Sequence, residues 1–180
     1  MGPVFVPTII VDPRGKIAAV DLQLRLVTRA EAERVIRRRH DPTDLPWADG
    51  YPLDGDSRAC ASYVSHLPPG AGPHSTSRFG YYQIVEDGAV IGGIGFHSPP
   101  LDGVVEVGYG VVEGARGRGV AKQALLMIIE VARSAGVSAV VGRTSDDNVA
   151  SIRVMESAGM VRTGRDPDFL HFARRLDDTA

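Results

Sequence analysis

The sequence predicts an α+β or mixed α/β sandwich built on one central sheet, and three observations carry that reading. Alternating apolar stretches of strand length follow one another in the middle of the chain, as "FGYYQIVE", "AVIGGIGFHS" and "VVEVGYGVV". Two segments of helical periodicity come next, separated by a short apolar run. The 180-residue length suits one domain with a substantial core. Apolar residues make up 43% and charged residues 23%, as in globular proteins. Residues 1–180 therefore read as a single domain, beginning with an extended segment over 1–21.

Each element has a local signature. "VFVPTIIV" and "AAVDLQLRLVT" read as two extended segments joined by the turn "DPRG". Thr28 is an N-cap for "RAEAERVIRRRH", with Glu31 completing a capping box. Residues 41–78 are rich in Pro, Gly and Asp and carry one short helix, "SRACASYVSHL". A region that long with so little regular structure is often functional. Trp47 and Tyr51 lie in it and are candidates for a substrate wall, against the alternative that they pin the loop to the core.

Asp87-Gly88 turns the first middle strand into the second. In the long helix after "VVEVGYGVV", Ala121, Leu125, Ile128 and Ala132 mark the buried side, and Gly136 ends it. "VSAVVGRTS" is a buried strand, "NVASIRVMESAG" a second helix closed by Gly159, and "DFLHFARRL" a last strand.

Composition excludes several function classes. A net charge of −2 argues against general affinity for nucleic acid. The single cysteine, Cys60, excludes an internal disulfide and a multi-cysteine zinc site, so no metal is expected. No run approaches the ~18 apolar residues of a membrane helix, and the N-terminus lacks the pattern of a signal peptide. A cytoplasmic protein without a membrane partner is the expectation.

The informative segment is "GARGRGVAKQAL", residues 114–125, at a strand-to-helix junction. A Walker A loop fails there because Val120 and Ala121 stand where Lys and Ser/Thr are needed. A dinucleotide fingerprint fails at Lys122, where a glycine or alanine is required. Arg116, Gly119 and Ala121 match a third pattern, Arg/Gln-x-x-Gly-x-Gly/Ala. The first amides of a helix lack intrahelical acceptors and attract an anion, and glycine lets the backbone come close.

With this loop, the chain resembles the GCN5-related N-acetyltransferase (GNAT) superfamily. "RTSDDNVASIRVMESAGMVRTG" is similar to its later motif through Asn148, Ser151 and Gly159-Met160. "EVGYGVV" resembles the fourth strand of its ribosomal-protein-acetylating subgroup. The resemblance spans about residues 22–176. It implies a GNAT-like fold with helices on both faces of a mostly antiparallel mixed sheet and a V-shaped splay between the family's strands 4 and 5.

By that resemblance the donor is acetyl-CoA. The backbone near Tyr109 to Val111 would bond the pantetheine arm, and Arg116, Gly117, Arg118, Gly119, Val120 and Ala121 would cradle the pyrophosphate. Asn148 would contact pantetheine or serve only as an N-cap. The tyrosine common seven residues after the asparagine is Met155 here, which leaves Ser151, water or no dedicated acid to serve the departing thiolate.

Transfer needs a neutral amine, so a base must remove a proton. Glu106, on the strand face of Gly108 and Gly110, is the first candidate and His97 the reserve. The acceptor is a protein N-terminus or a small amine such as an antibiotic. Five loop acids, Asp41, Asp44, Asp49, Asp54 and Asp56, would suit a cation. A CoA-binding module without catalysis is the rival of a different class, and relatives suggest a homodimer.

Overall fold

Thr28 ends one strand and starts one helix. Its side chain accepts from the Glu31 amide while Glu31 accepts from the Thr28 amide, the reciprocal cap the sequence predicts. The computed structural model in which this is seen describes residues 22–176 and the backbone of residues 8–11 and 17–20. Leu22–Leu26 forms β3 and Arg29–Ile36 forms α1. Asp54–Ser65 is α2, beginning ahead of the predicted segment because Asp56 supplies a carboxylate to the Leu53 amide at 2.8 Å.

The middle strands are β4 (Tyr81–Glu86), β5 (Ala89–Phe96) and β6 (Val104–Val111). Then come α3 (Val120–Ser134), β7 (Ala139–Thr144) and α4 (Val149–Ser157). Two strands close the chain, β8 (Val161–Arg165) and β9 (Leu170–Arg175). At the start, β1 (Thr8–Val11) and β2 (Ile17–Val20) pair antiparallel as a separate ribbon.

Seven strands make one sheet in the order β3-β4-β5-β6-β7-β9-β8. All neighbours are antiparallel except β6 and β7. The α+β class and the mostly antiparallel mixed sheet predicted from sequence are thus observed.

Two readings need correction. "AAVDLQLRLVT" is not one strand: β2 pairs with β1, whereas β3 pairs with β4. The "DPRG" turn lies outside the described residues. After Gly159 there are two strands rather than one, because "VRTGR" pairs with β9. Every residue of β8 is exposed, so it lacks the apolar alternation that marks a half-buried strand.

Helices α1 and α2 cover one face of the sheet and α3 and α4 the other. The apolar side of α3 predicted from sequence is buried, with Leu125, Ile128 and Ala132 wholly inaccessible. Among the described residues no helix is long and apolar enough to cross a membrane.

On the α2 face, two cross-strand pairs, Gly93↔Gly110 and Gly95↔Gly108, strip four neighbouring positions of side chains. The buried Tyr81 ring occupies part of that room, and a Cβ on Gly93 would fall inside its hydroxyl. A Gly93→Ala substitution is therefore expected to cost about 1–3 kcal/mol through overpacking, read by urea unfolding. Unchanged stability would contradict this packing.

Candidate active site

The pairing of β6 with β7 covers only Val104↔Ala139, Val105↔Val140 and Glu106↔Val141. Beyond these the strands separate, which is the predicted V-shaped splay. Backbone direction follows from the β5 ladder. Val112 donates to Ile91, and His97 donates to the Glu106 carbonyl, both at 2.9 Å. Residues 106, 108, 110 and 112 thus turn their backbone groups toward β5. Alternation turns those of Tyr109 and Val111 toward the opening beside β7.

A cleft of about 720 Å³ occupies this opening and continues over the glycine patch beneath α2. Tyr109, Asn148, Ser151 and Met155 line one part; Asp56, Tyr81, Gly93 and His97 line the other. It therefore brings together predicted groups from β6, α4 and the end of β5.

The predicted pyrophosphate loop follows β6 as a 3-10 turn over Glu113–Ala115 and an exposed segment to Gly119. Gly117 and Gly119 have φ of 74° and 81°, and nothing lies within 4 Å of a Cβ built on either. Gly119 is the N-cap of α3, which receives no side-chain cap and has no acid in its first turn. The arginines anchor the loop. Arg116 Nε donates to the Val111 carbonyl at 3.1 Å, and Arg118 makes a two-pronged pair with the Glu86 carboxylate at 2.7 and 3.1 Å. Val120 is buried and Ala121 partly so, fixing the first turn of α3 against the core.

The acetyltransferase (GNAT) domain family matches residues 21–161. The chain belongs to this family. A search of curated proteins found no match. Among solved structures, Mycobacterium smegmatis RimJ in complex with CoA-disulfide is 19% identical over 98% of this chain and 87% of its own, with a TM-score of 0.62. The ribosomal-protein-S5-alanine acetyltransferase of Vibrio fischeri is 17% identical over 87% and 94%, with a TM-score of 0.60. Salmonella typhimurium yncA, solved with its cofactor acetyl-CoA, is 23% identical over 88% and 96%, with a TM-score of 0.57. These likenesses show the shared GNAT fold and include the subgroup suggested by "EVGYGVV".

Within this GNAT domain, Glu106 does not stand alone. Its Oε1 lies 3.2 Å from His97 Nδ1 and 2.9 Å from Arg143 Nε. His97, then Arg143, hold the Glu106 carboxyl below the usual carboxylate range, against the opposing effect of burial. A Cβ on Gly108 would lie 2.6 Å from His97 Nε2, so that ring nitrogen sits over the glycine patch. Arg143 also stacks over Phe169 at 5.2 Å, giving that side of the cleft a wall not read from sequence. Alternation from Val141 puts Arg143 on the face of Glu106, a relation visible only once the β6–β7 register is known.

On the other face, the Tyr109 hydroxyl lies 2.9 Å from Ser151 Oγ and donates to the Ser151 carbonyl at 3.2 Å. Burial raises the Tyr109 phenol, keeping it protonated. Asn148 caps α4 by accepting from the Ser151 amide at 3.1 Å. Met155 is buried at the cleft wall.

Trp47 and Tyr51 pack into the core. Trp47 bridges to Val90 and meets Tyr51 edge to face, and Tyr51 reaches the cleft only through Tyr81, 3.1 Å from its hydroxyl. Cys60 is buried and its thiol is pushed up by desolvation, which leaves it inert. Among the described residues no group of three His, Cys, Asp or Glu is arranged to hold a metal ion.

The depressed Glu106 carboxyl has a pH signature. Its ion pairs contribute stability above the unfolded-state value and lose it as pH falls through the lower folded-state value. Wild type should exceed Glu106→Gln in unfolding free energy at pH 7, and the difference should shrink as pH falls through and below the ordinary carboxylate range. A difference that stays constant from pH 7 to pH 2 in denaturant titrations would contradict the assignment.

Proposed function

We propose that this chain is an acetyl-CoA-dependent N-acetyltransferase acting on a primary amine in a ternary complex. The observation that carries the proposal is a single cleft joining an open β6 edge to a histidine–carboxylate pair. Acetyl-CoA supplies an activated thioester. The residues fit it: the Tyr109 backbone groups and the Val111 amide offer strand-like hydrogen bonds to a pantetheine arm, and the uncapped α3 N-terminus, free of acids, suits a pyrophosphate. Arg118 holds this loop through Glu86, and Arg116 holds it through Val111.

His97 rather than Glu106 accepts the proton of the acceptor ammonium. Glu106 is already bound by two cationic or donor groups and is a weak base, whereas His97 Nε2 faces the glycine patch. Glu106, within ion-pair distance of Nδ1, positions the imidazole. Across the sheet, the Ser151 hydroxyl and its Tyr109 partner hold a proton for the departing thiolate. Tyr109 thereby restores a phenol to the region where Met155 has none.

The test pairs binding with turnover. Acetyl-CoA at millimolar concentration should raise the melting temperature of wild type and of His97→Gln alike. In the variant, kcat for amine-dependent release of free thiol should fall by about 10²–10⁴, the usual contribution of a general base. Absence of any stabilisation by acetyl-CoA would end the proposal, and a kcat within twofold of wild type would remove His97 from it.

A further inference from the structure

The structure separates the five loop acids that the sequence presents as one group. Asp44 forms a two-pronged pair with Arg34 at 2.5 and 2.7 Å, and Asp54 is paired with Arg38. Asp41 is turned back on Thr43, and Asp49 is exposed. Asp56 alone lines the cleft, and only 3% of it is accessible.

A buried carboxylate ordinarily has a counter-charge, because removing it from water costs several kcal/mol. Among the described residues no Lys, Arg or His lies within ion-pair distance of Asp56. Its Oδ2 accepts the Leu53 amide at 2.8 Å; the Tyr81 hydroxyl and, more weakly, the charge of Arg38, which is itself paired with Asp54, favour the ionised form. Desolvation nevertheless pushes the carboxyl up to about 6. The bond from Asp56 back to the N-cap amide does not explain the burial, since such a bond from the third helical residue forms equally at solvent-facing helix starts.

The position is also informative. Asp56 and Tyr81 belong to the Gly93–Gly110 end of the glycine patch, where Leu53 comes within 2.7 Å of a Cβ on Gly110. His97 stands over Gly108, two residues back along β6. That offset is about 7 Å of strand. The amine that attacks must be neutral, so it is not the lasting partner of Asp56. Arg58 reaches the cleft from an exposed position where solvent screens it, and Arg143 is neutralised by Glu106.

We propose that Asp56 is the acceptor-recognition residue and that the site takes an aliphatic diamine, with one ammonium held by Asp56 and the second amine presented at His97. This rests on the acetyltransferase reading for its chemistry but not for its binding step. Asp56→Asn is the informative variant, because the asparagine oxygen can still accept from the Leu53 amide while the charge is lost.

Calorimetry on the CoA-saturated protein should compare 1,4-diaminobutane, butylamine and 1,4-butanediol. Wild type should bind both amines at least about tenfold more tightly than the uncharged diol, the lower end of what a desolvated charge pair supplies, and only the diamine should then release thiol from acetyl-CoA. Asp56→Asn should lose that preference with an unchanged melting temperature and unchanged CoA affinity. Equal affinities for the amines and the diol in wild type, or a preference that survives in Asp56→Asn, would overturn the proposal. If Asp56→Asn is too unstable to measure, the wild-type comparison of the diamine with 1,4-butanediol decides alone. Diamine binding without thiol release would leave Asp56 as a diamine site and refute the acetyl-transfer reading instead.

Discussion

Everything at the candidate site depends on where β6 stops pairing with β7. Three residue pairs join the strands, and beyond Glu106 the neighbour of β6 is a cleft rather than another strand. Backbone amides and carbonyls are obligatory hydrogen-bonding groups, so an edge opened inside a sheet is an edge prepared for water or a ligand. Tyr109 helps hold it open. Its ring fills the space between β6 and the first turn of α4, and its hydroxyl is tied to Ser151. The same residue thus offers backbone groups to the opening and a side chain to its far wall.

The two faces of β6 carry unlike chemistry because a strand alternates. Val107, Tyr109 and Val111 point to the α3–α4 side and are bulky; Glu106, Gly108 and Gly110 point to the α2 side and leave a floor bare of side chains. That floor is made by deletion, at four glycines in two adjacent pairs, with His97 standing over one of them. His97 and the Tyr109–Ser151 pair therefore belong to opposite sides of one strand.

The sequence revealed the parts of this arrangement that are local. The Thr28–Glu31 cap, the apolar side of α3 and the glycine loop before it depend on residues within a few positions of one another. Relations that depend on register were not legible. Arg143 meets Glu106 only because Glu106 is opposite Val141, and His97 meets it only because β5 and β6 are antiparallel in that register. The β8 strand escaped notice because an exposed edge strand needs no apolar face. The loop acids could not be sorted by sequence, since pairing with Arg34 or Arg38 and burial against Tyr81 are tertiary facts. Trp47 and Tyr51 carried the opposite ambiguity, because large aromatics mark cores as readily as sites.

The open β6 edge as the seat of the acyl donor is tested most directly by following backbone amides by NMR during titration with acetyl-CoA. The amides of Tyr109 and Val111, together with those of Gly117, Gly119 and the first turn of α3, should shift in one saturable transition, while Gly108 and Gly110, hydrogen-bonded to β5, should move less. Saturable binding that leaves Tyr109, Val111 and the Gly117–Gly119 loop unperturbed would contradict the account.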